Sequence, residues 1–239
     1  MRTFLQTSIF ILLIAAFSCI LAQSMPRTSK SEVNIKFIEK ELSPAISRRI
    51  LKAEGIGVKK YWSGKEAPVA CHFKARLLWS KTALYVFFEA NQLEPLVVSE
   101  KPDLSKKTLG LWDRDVCEIF VAPDMNEPRK YFEFEVAPTG EWVDVGLDIT
   151  SGERKSDWNY KSGMTVMAVG NRKETTAMLI KIPWTAFGTV PKAGDVWLGN
   201  IFRCVGKDPD RGYLAWSPTM TKNPNFHVPE RFGKLVFQK

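Results

Sequence analysis

The chain has 239 residues, 45% of them hydrophobic and 25% charged, which suits one globular domain with extensions and excludes a disordered polymer. Lys and Arg outnumber Asp and Glu by 34 to 26, yet the basic residues are scattered without a run of five. That scatter argues for ordinary solvated charge and against a nucleic-acid-binding surface.

The N-terminus, MRTFLQTSIFILLIAAFSCILAQS, places one Arg ahead of an apolar run and then small residues around Ala22. This is the layout of a secretory signal peptide over residues 1–22, and it directs the mature protein to the periplasm or the exterior. The apolar run is short for a bilayer crossing and no second one follows, so no membrane span is expected. Cys19 would be the residue of a lipid anchor, although Phe17 fits that cleavage box poorly. Residues 23–60 read as a lead-in segment, partly helical or flexible around Pro44.

From Tyr61 the texture changes to strands and turns. ACHFKARLLWS (70–80) and ALYVFFEAN (83–91) form one hairpin signal, and DVCEIFVAP (115–123) with KYFEFEVAP (130–138) a second. EWVDVGLDI (141–149) follows Gly140, and MTVMAVG (164–170) with TTAMLIKIPW (175–184) suggests a third hairpin. DVWLGNIFRCVG (195–206), YLAWSP (213–218) and GKLVFQ (233–238) complete the set. About nine strands with almost no long helix predict an all-β domain over 61–239, an antiparallel β-sandwich of immunoglobulin-like or jelly-roll-like type.

Side chains along a strand point alternately to opposite faces. In YFEFEV, Phe132, Phe134 and Val136 share one face, and Glu133 and Glu135 the other. In VCEIF, Glu118 lies on the side of Val116 and Phe120. A wet outer face is the ordinary expectation for such a pattern; a polar groove edged by aromatics is the functional one. Glu118 could equally pair with Arg203 or Arg114.

The eight Trp and fifteen Phe are core material first and sugar-stacking material second. Trp79, Trp142, Trp158, Trp184 and Trp197 read as structural. Cys71, Cys117 and Cys204, outside the signal segment, allow one disulfide or none. His72 and His227 lack the neighbours that metal catalysis requires. Glu118, Glu133, Glu135, Asp144 and Asp148 are carboxylates from which a glycosidase would draw a pair, but nothing fixes their separation. No nucleophile elbow or phosphate loop is present, so no catalytic residue is assigned.

The ordered set LLWSKTALYVFFEAN, WDRDVCEIFVAP, YFEFEVAPTGEWVD, IPWTAFG, AWSPT and HVPERFGKLVF resembles carbohydrate-binding module family 9 and the wider DOMON-like superfamily. The resemblance covers residues 61–239 and implies a β-sandwich that binds a mono- or oligosaccharide without catalysis, in the service of carbohydrate catabolism and with a separate glycan-degrading enzyme as possible partner. It implies Trp112 and Trp216 as two walls stacking a sugar ring. Glu118, Asn91, Glu135, Asn200 and Arg203 would supply polar contacts to hydroxyls. The chain departs from the family pattern at Glu135, where an Arg is usual, and at Phe202, where a Gln is usual. Calcium ligands of some members are sparse in PDMNEPRKYF (123–132), so no cofactor is expected.

Two alternatives belong to other classes. Some DOMON-like domains bind haem through Met with His or Lys, and Met164, Met167, Met178 and Met220 with His72 and His227 are the residues available. The other is a secreted interaction domain without a sugar ligand.

Overall fold

The computed structural model describes residues 31–42, 48–92, 94–172 and 175–239. The expected signal peptide, with Cys19, and the start of the lead-in lie outside them. Among the described residues no helix is long and apolar enough to cross a membrane.

The chain is built almost wholly from strands: β1 (Glu32–Phe37), β2 (Ile56–Val58), β3 (Phe73–Trp79), β4 (Ala83–Asn91), β5 (Val116–Ala122), β6 (Lys130–Val136), β7 (Trp142–Asp148), β8 (Lys155–Asp157), β9 (Thr165–Arg172), β10 (Thr175–Pro183), β11 (Val196–Val205), β12 (Gly212–Ala215) and β13 (Gly233–Gln238). Among the described residues one short α-helix, α1, covers Arg48–Lys52. The ladder runs β8-β7-β6-β5-β11-β13-β1-β3-β4-β10-β9, with β12 on β11 and β2 on β3. It curls so that β8 to β13 form one leaf and β1 to β9 the other. Strand β1 joins the leaves, pairing parallel with both β13 and β3.

The lead-in therefore supplies sheet as well as helix. EVNIKF reads weakly in isolation because only Ile35 is fully buried; its backbone ladder, which sequence pattern does not show, holds it. Glu41 fastens the following segment to the second leaf, accepting hydrogen bonds from Ser80 Oγ at 2.7 Å and from the Tyr85 hydroxyl, with Lys181 Nζ at 3.2 Å. Burial alone would raise its carboxyl, but these donors together with Thr82 bring it down to about 2.

Three apolar clusters follow from the alternation. The interior between the leaves holds Leu84, Val86 and Phe88 from β4 against Ile119, Phe134, Val136 and Ile201. Leu42 and Ile50 cover the outer face of the second leaf at Leu78, Tyr85 and Leu179. Phe226 and Phe232, from the segment before β13, cover part of the outer face of the first leaf at Phe120, Tyr131 and Phe202. Phe202 and Phe226 stack with ring centroids 4.1 Å apart. The expected wet face of β5 and β6 is thus closed over, and Glu133 and Glu135 are buried.

Gly199 marks the tightest strand crossing. A Cβ there would lie 2.5 Å from the Phe120 carbonyl oxygen and 2.7 Å from Leu235 Cδ1. Because backbone cannot yield as a flexible side chain can, Gly199→Ala should destabilise the domain by about 1–3 kcal/mol, read as a lower urea midpoint at unchanged slope.

The three described cysteines are free and buried. Cys117 faces the interior and Cys204 the outer cluster, so the sheet separates the two strand thiols.

Candidate functional site

A cavity of about 310 Å³ opens on the outer face of the first leaf. Its floor rises from β5, β6 and β11. Glu118 stands opposite Phe202 on β11 and opposite Glu135 on β6, with Glu133 opposite Phe120. Even spacing along each strand puts all three carboxylates on the outer face.

The acids are unusually close for their burial. One carboxylate oxygen of Glu118, Glu133 and Glu135 lies within 4.8 Å of one from each of the others, and their exposures are 1%, 5% and 0%. Among the described residues no ion pair reaches them. The Cys204 thiol donates to Glu118 Oε1 at 3.5 Å. No protein donor reaches either oxygen of Glu135; its contact with Glu133 becomes a hydrogen bond only when one of the two holds a proton.

The electrostatics follow from burial and crowding. Burial pushes the Glu118 and Glu135 carboxyls well above the ordinary range, and the neighbouring carboxylates push further. Burial also raises Glu133, with Glu135 and Arg154 pulling it partly back. Three such groups could hold a cation, since carboxylate oxygens are what hard cations take.

The rim is aromatic. Trp112 lies in a short 3-10 turn, Leu111–Asp113, entered through Gly110 at φ 77°, a backbone conformation that glycine adopts without cost. Leu111 is buried beneath it, and Arg211 Nη2 donates to the Trp112 and Arg114 carbonyls at 2.6 and 2.9 Å. The turn is therefore held while the indole stays 37% exposed. Beside it stands Trp158, just after the edge strand β8 and 40% exposed. Their ring centroids are 5.9 Å apart at 34°. A sugar ring between two indoles needs about 7–8 Å, two van der Waals contacts, so the pair forms one angled wall. Tyr213, Pro224, Asn225, Phe226 and His227 line other sides, and Arg154 and Asp113 stand at the mouth. His227 Nδ1 is 2.8 Å from the Tyr131 hydroxyl, and burial carries its imidazole down to about 3, so it is neutral near pH 7.

Of the seven residues singled out from sequence, the structure gathers three. Trp112 and Glu118 line the cavity, and Glu135 joins Glu118 in the acid cluster. Four stand elsewhere. Trp216 lies against Gly233, whose added Cβ would meet its ring at 2.6 Å, so it packs in the fold and is no second wall. Asn200 is buried, donates to the Ser217 carbonyl and accepts from the Ile201 and Ser217 amides. Arg203 points into the interior and donates to the Cys71, His72 and Asn91 carbonyls. Asn91 Nδ2 donates to the Val69 carbonyl. Neither expected ion pair of Glu118 forms: Arg203 is on the opposite face, and Arg114 bonds Glu141 at 2.9 Å.

The other candidates are also placed. Asp144 is engaged by Lys107 Nζ at 2.6 Å and the Ser162 amide at 2.7 Å, and Asp148 by Thr150. In the 123–132 turn, Asp124 accepts from the Asn126 amide and Glu127 pairs with Lys130. His72 Nε2 bonds the Ala67 carbonyl, and Met164 and Met178 belong to the interior cluster.

Comparisons with known proteins agree with this architecture. The structure of a Bacteroides uniformis protein, provisionally described as carbohydrate-binding, superposes with a TM-score of 0.68 at 17% identity, covering 88% of this chain and 100% of that one. A family 9 carbohydrate-binding module from Caldicellulosiruptor kristjanssonii in complex with cellotriose gives 0.62 at 12% identity, covering 87% and 94%. Its complex with glucose gives 0.58 at 12%, covering 87% and 96%. Among curated proteins no match is found. At these identities the structures speak for the fold, whereas the sequence match to the model of the carbohydrate family 9 binding domain-like family runs over residues 51–239; by it, the chain belongs to that family.

Proposed function

We propose that this protein binds a mono- or oligosaccharide in the cavity of the first leaf, without chemistry of its own. The observation that carries the reading is the pairing of exposed indoles, Trp112 and Trp158, with the buried carboxylates Glu118 and Glu133 in one concave site. A pyranose offers an apolar face of C–H groups and a rim of hydroxyls, and such a site offers an apolar wall and acceptors to match. A hydrolase would place two carboxyls on either side of the scissile bond. Here the acids stand side by side on neighbouring strands, which favours holding over cleaving.

The signal-type N-terminus supports action outside the cytoplasm, and the family supports a role in carbohydrate catabolism beside a separate glycan-degrading enzyme. Tryptophan fluorescence during titration with neutral, N-acetylated and amino sugars tests the reading. A saturable shift is expected, weakened by about 1–3 kcal/mol in Trp112→Ala and in Trp158→Ala. If every sugar leaves the spectrum unmoved, or Trp112→Ala binds as tightly as the parent while folded, the site is misassigned.

A further inference from the structure

The three acids under the indoles are more than a neutral sugar needs. Hydroxyls are satisfied by one or two acceptors, and amides or hydroxyls of the protein could supply them without the cost of burying charge. Two carboxylates, Glu118 and Glu133, line this cavity, and behind them stands a third, Glu135, with 0% exposure and both oxygens lacking any protein donor. An unsatisfied buried acceptor is rare in a native fold and calls for a partner from outside the chain.

Geometry narrows that partner. A primary ammonium carries three N–H donors in a tetrahedral fan. With N···O distances of about 2.8 Å, its three acceptors stand about 4.6 Å from one another. The closest oxygens of Glu118, Glu133 and Glu135 are no more than 4.8 Å apart, so one ammonium in the cavity can reach Glu118 and Glu133 together. A bare divalent ion would also suit three carboxylates, but it leaves the rest of a 310 Å³ cavity and its aromatic wall without a role. An organic cation uses both: carboxylates take the ammonium, and indole faces take the carbon skeleton and favour nearby positive charge.

Resting on the saccharide reading above, we propose that the ligand is a sugar carrying a free amino group, a 2-amino-2-deoxyhexose or an oligomer of one, with its ammonium on Glu118 and Glu133, Glu135 behind them adding to their negative field, and its ring against Trp112 and Trp158. Asp113 adds to the negative field at Glu135, and Arg154 offsets part of it at Glu133.

Isothermal titration at about pH 6, where an amine of this type is protonated, tests the assignment. Glucosamine, galactosamine and mannosamine are each compared with the parent hexose and with the N-acetyl derivative, which keeps the shape and removes the charge. At least one amino sugar should bind about tenfold or more tighter than both of its counterparts, and in Glu135→Gln, checked for folding by its melting curve, that ratio should shrink to about threefold or less. Neutral hexoses binding as tightly as the amino forms would overturn this inference and leave the saccharide reading standing. No binding of any sugar would remove both. Calcium or magnesium chloride saturating the protein and abolished by Glu135→Gln, with no amine preference, would make the acids a metal site and overturn the inference as well.

Discussion

Arg203→Ala should cost the domain about 3–5 kcal/mol, the range for leaving buried polar partners stranded around a new cavity. Its guanidinium is 2% exposed in the interior between the leaves. Nη1 donates to the Cys71 and His72 carbonyls at 2.9 and 3.2 Å, and Nη2 to the Asn91 carbonyl at 2.7 Å. One side chain from β11 thus ties the turn before β3 and the end of β4 to the opposite leaf. Removing it strands the Cys71 and Asn91 oxygens and leaves His72 with only the Asn91 amide. It also removes the positive charge that restrains the buried Asp115, whose carboxyl burial already pushes up. Arg203→Lys keeps the charge but not the fork, and should fall between. The check is chemical denaturation: a lower midpoint with unchanged slope. A residue that touched ligand would show the reverse pattern, with lost affinity and an unmoved midpoint.

That contrast shows how far strand periodicity reaches. It assigns faces well. Phe132, Phe134 and Val136 do turn to the interior, and Glu118, Glu133 and Glu135 do share the other side of the leaf. Adjacency along β11 gives Phe202 and Arg203 no common address, however, because neighbours on a strand face opposite ways. Phe202 stands on the acid side and Arg203 on the interior side. Whether a face is wet depends on what the chain later lays across it. Here Phe226 and Phe232, far along the chain, close over Phe120 and Phe202, a contact that no local pattern announces.

The second indole was hidden for a related reason. Trp158 follows a three-residue edge strand in KSDWNYK, with no apolar alternation to give it a direction. It reaches Trp112 only because β8 pairs with β7 at the margin of the leaf. Its exposure and its nearness to Trp112 mark it as a site residue; its sequence context marks nothing. Trp216 carries the opposite lesson. The AWSPT motif is present, but Gly233 leaves a slot in the last strand, and the ring fills it. The one sequence signal that did point at the unusual floor was the departure at Glu135: where an Arg would have neutralised Glu118, a third acid stands instead.

Glu135→Gln should therefore stabilise the unliganded protein, increasingly so as pH rises from about 5 to 8. The unfolded chain releases these glutamic protons near the ordinary carboxylate value, about 4.3. Burial and mutual repulsion make the native cluster hold them to higher pH. Over that interval the native state binds more protons than the unfolded one, so stability falls as pH rises, by about 1.4 kcal/mol per pH unit for each proton retained. Below about pH 4 both states are protonated and the penalty disappears. The substitution removes one titrating carboxyl and offers amide donors to Glu118 and Glu133. Groups facing the cluster set the background: the Cys204 thiol and Arg211 toward Glu118, Arg154 toward Glu133 and Asp113 toward Glu135. Half-buried, neutral His227 pulls the other way, since the unfolded imidazole takes up a proton below about 6.5 and the native one resists until about 3. Both proteins share that histidine, so the difference between their unfolding free energies isolates the acids. A difference that widens with pH identifies charge forced into the floor, and a flat difference would mean that Glu135 keeps its proton throughout and that the cluster carries no charge strain for a ligand to relieve.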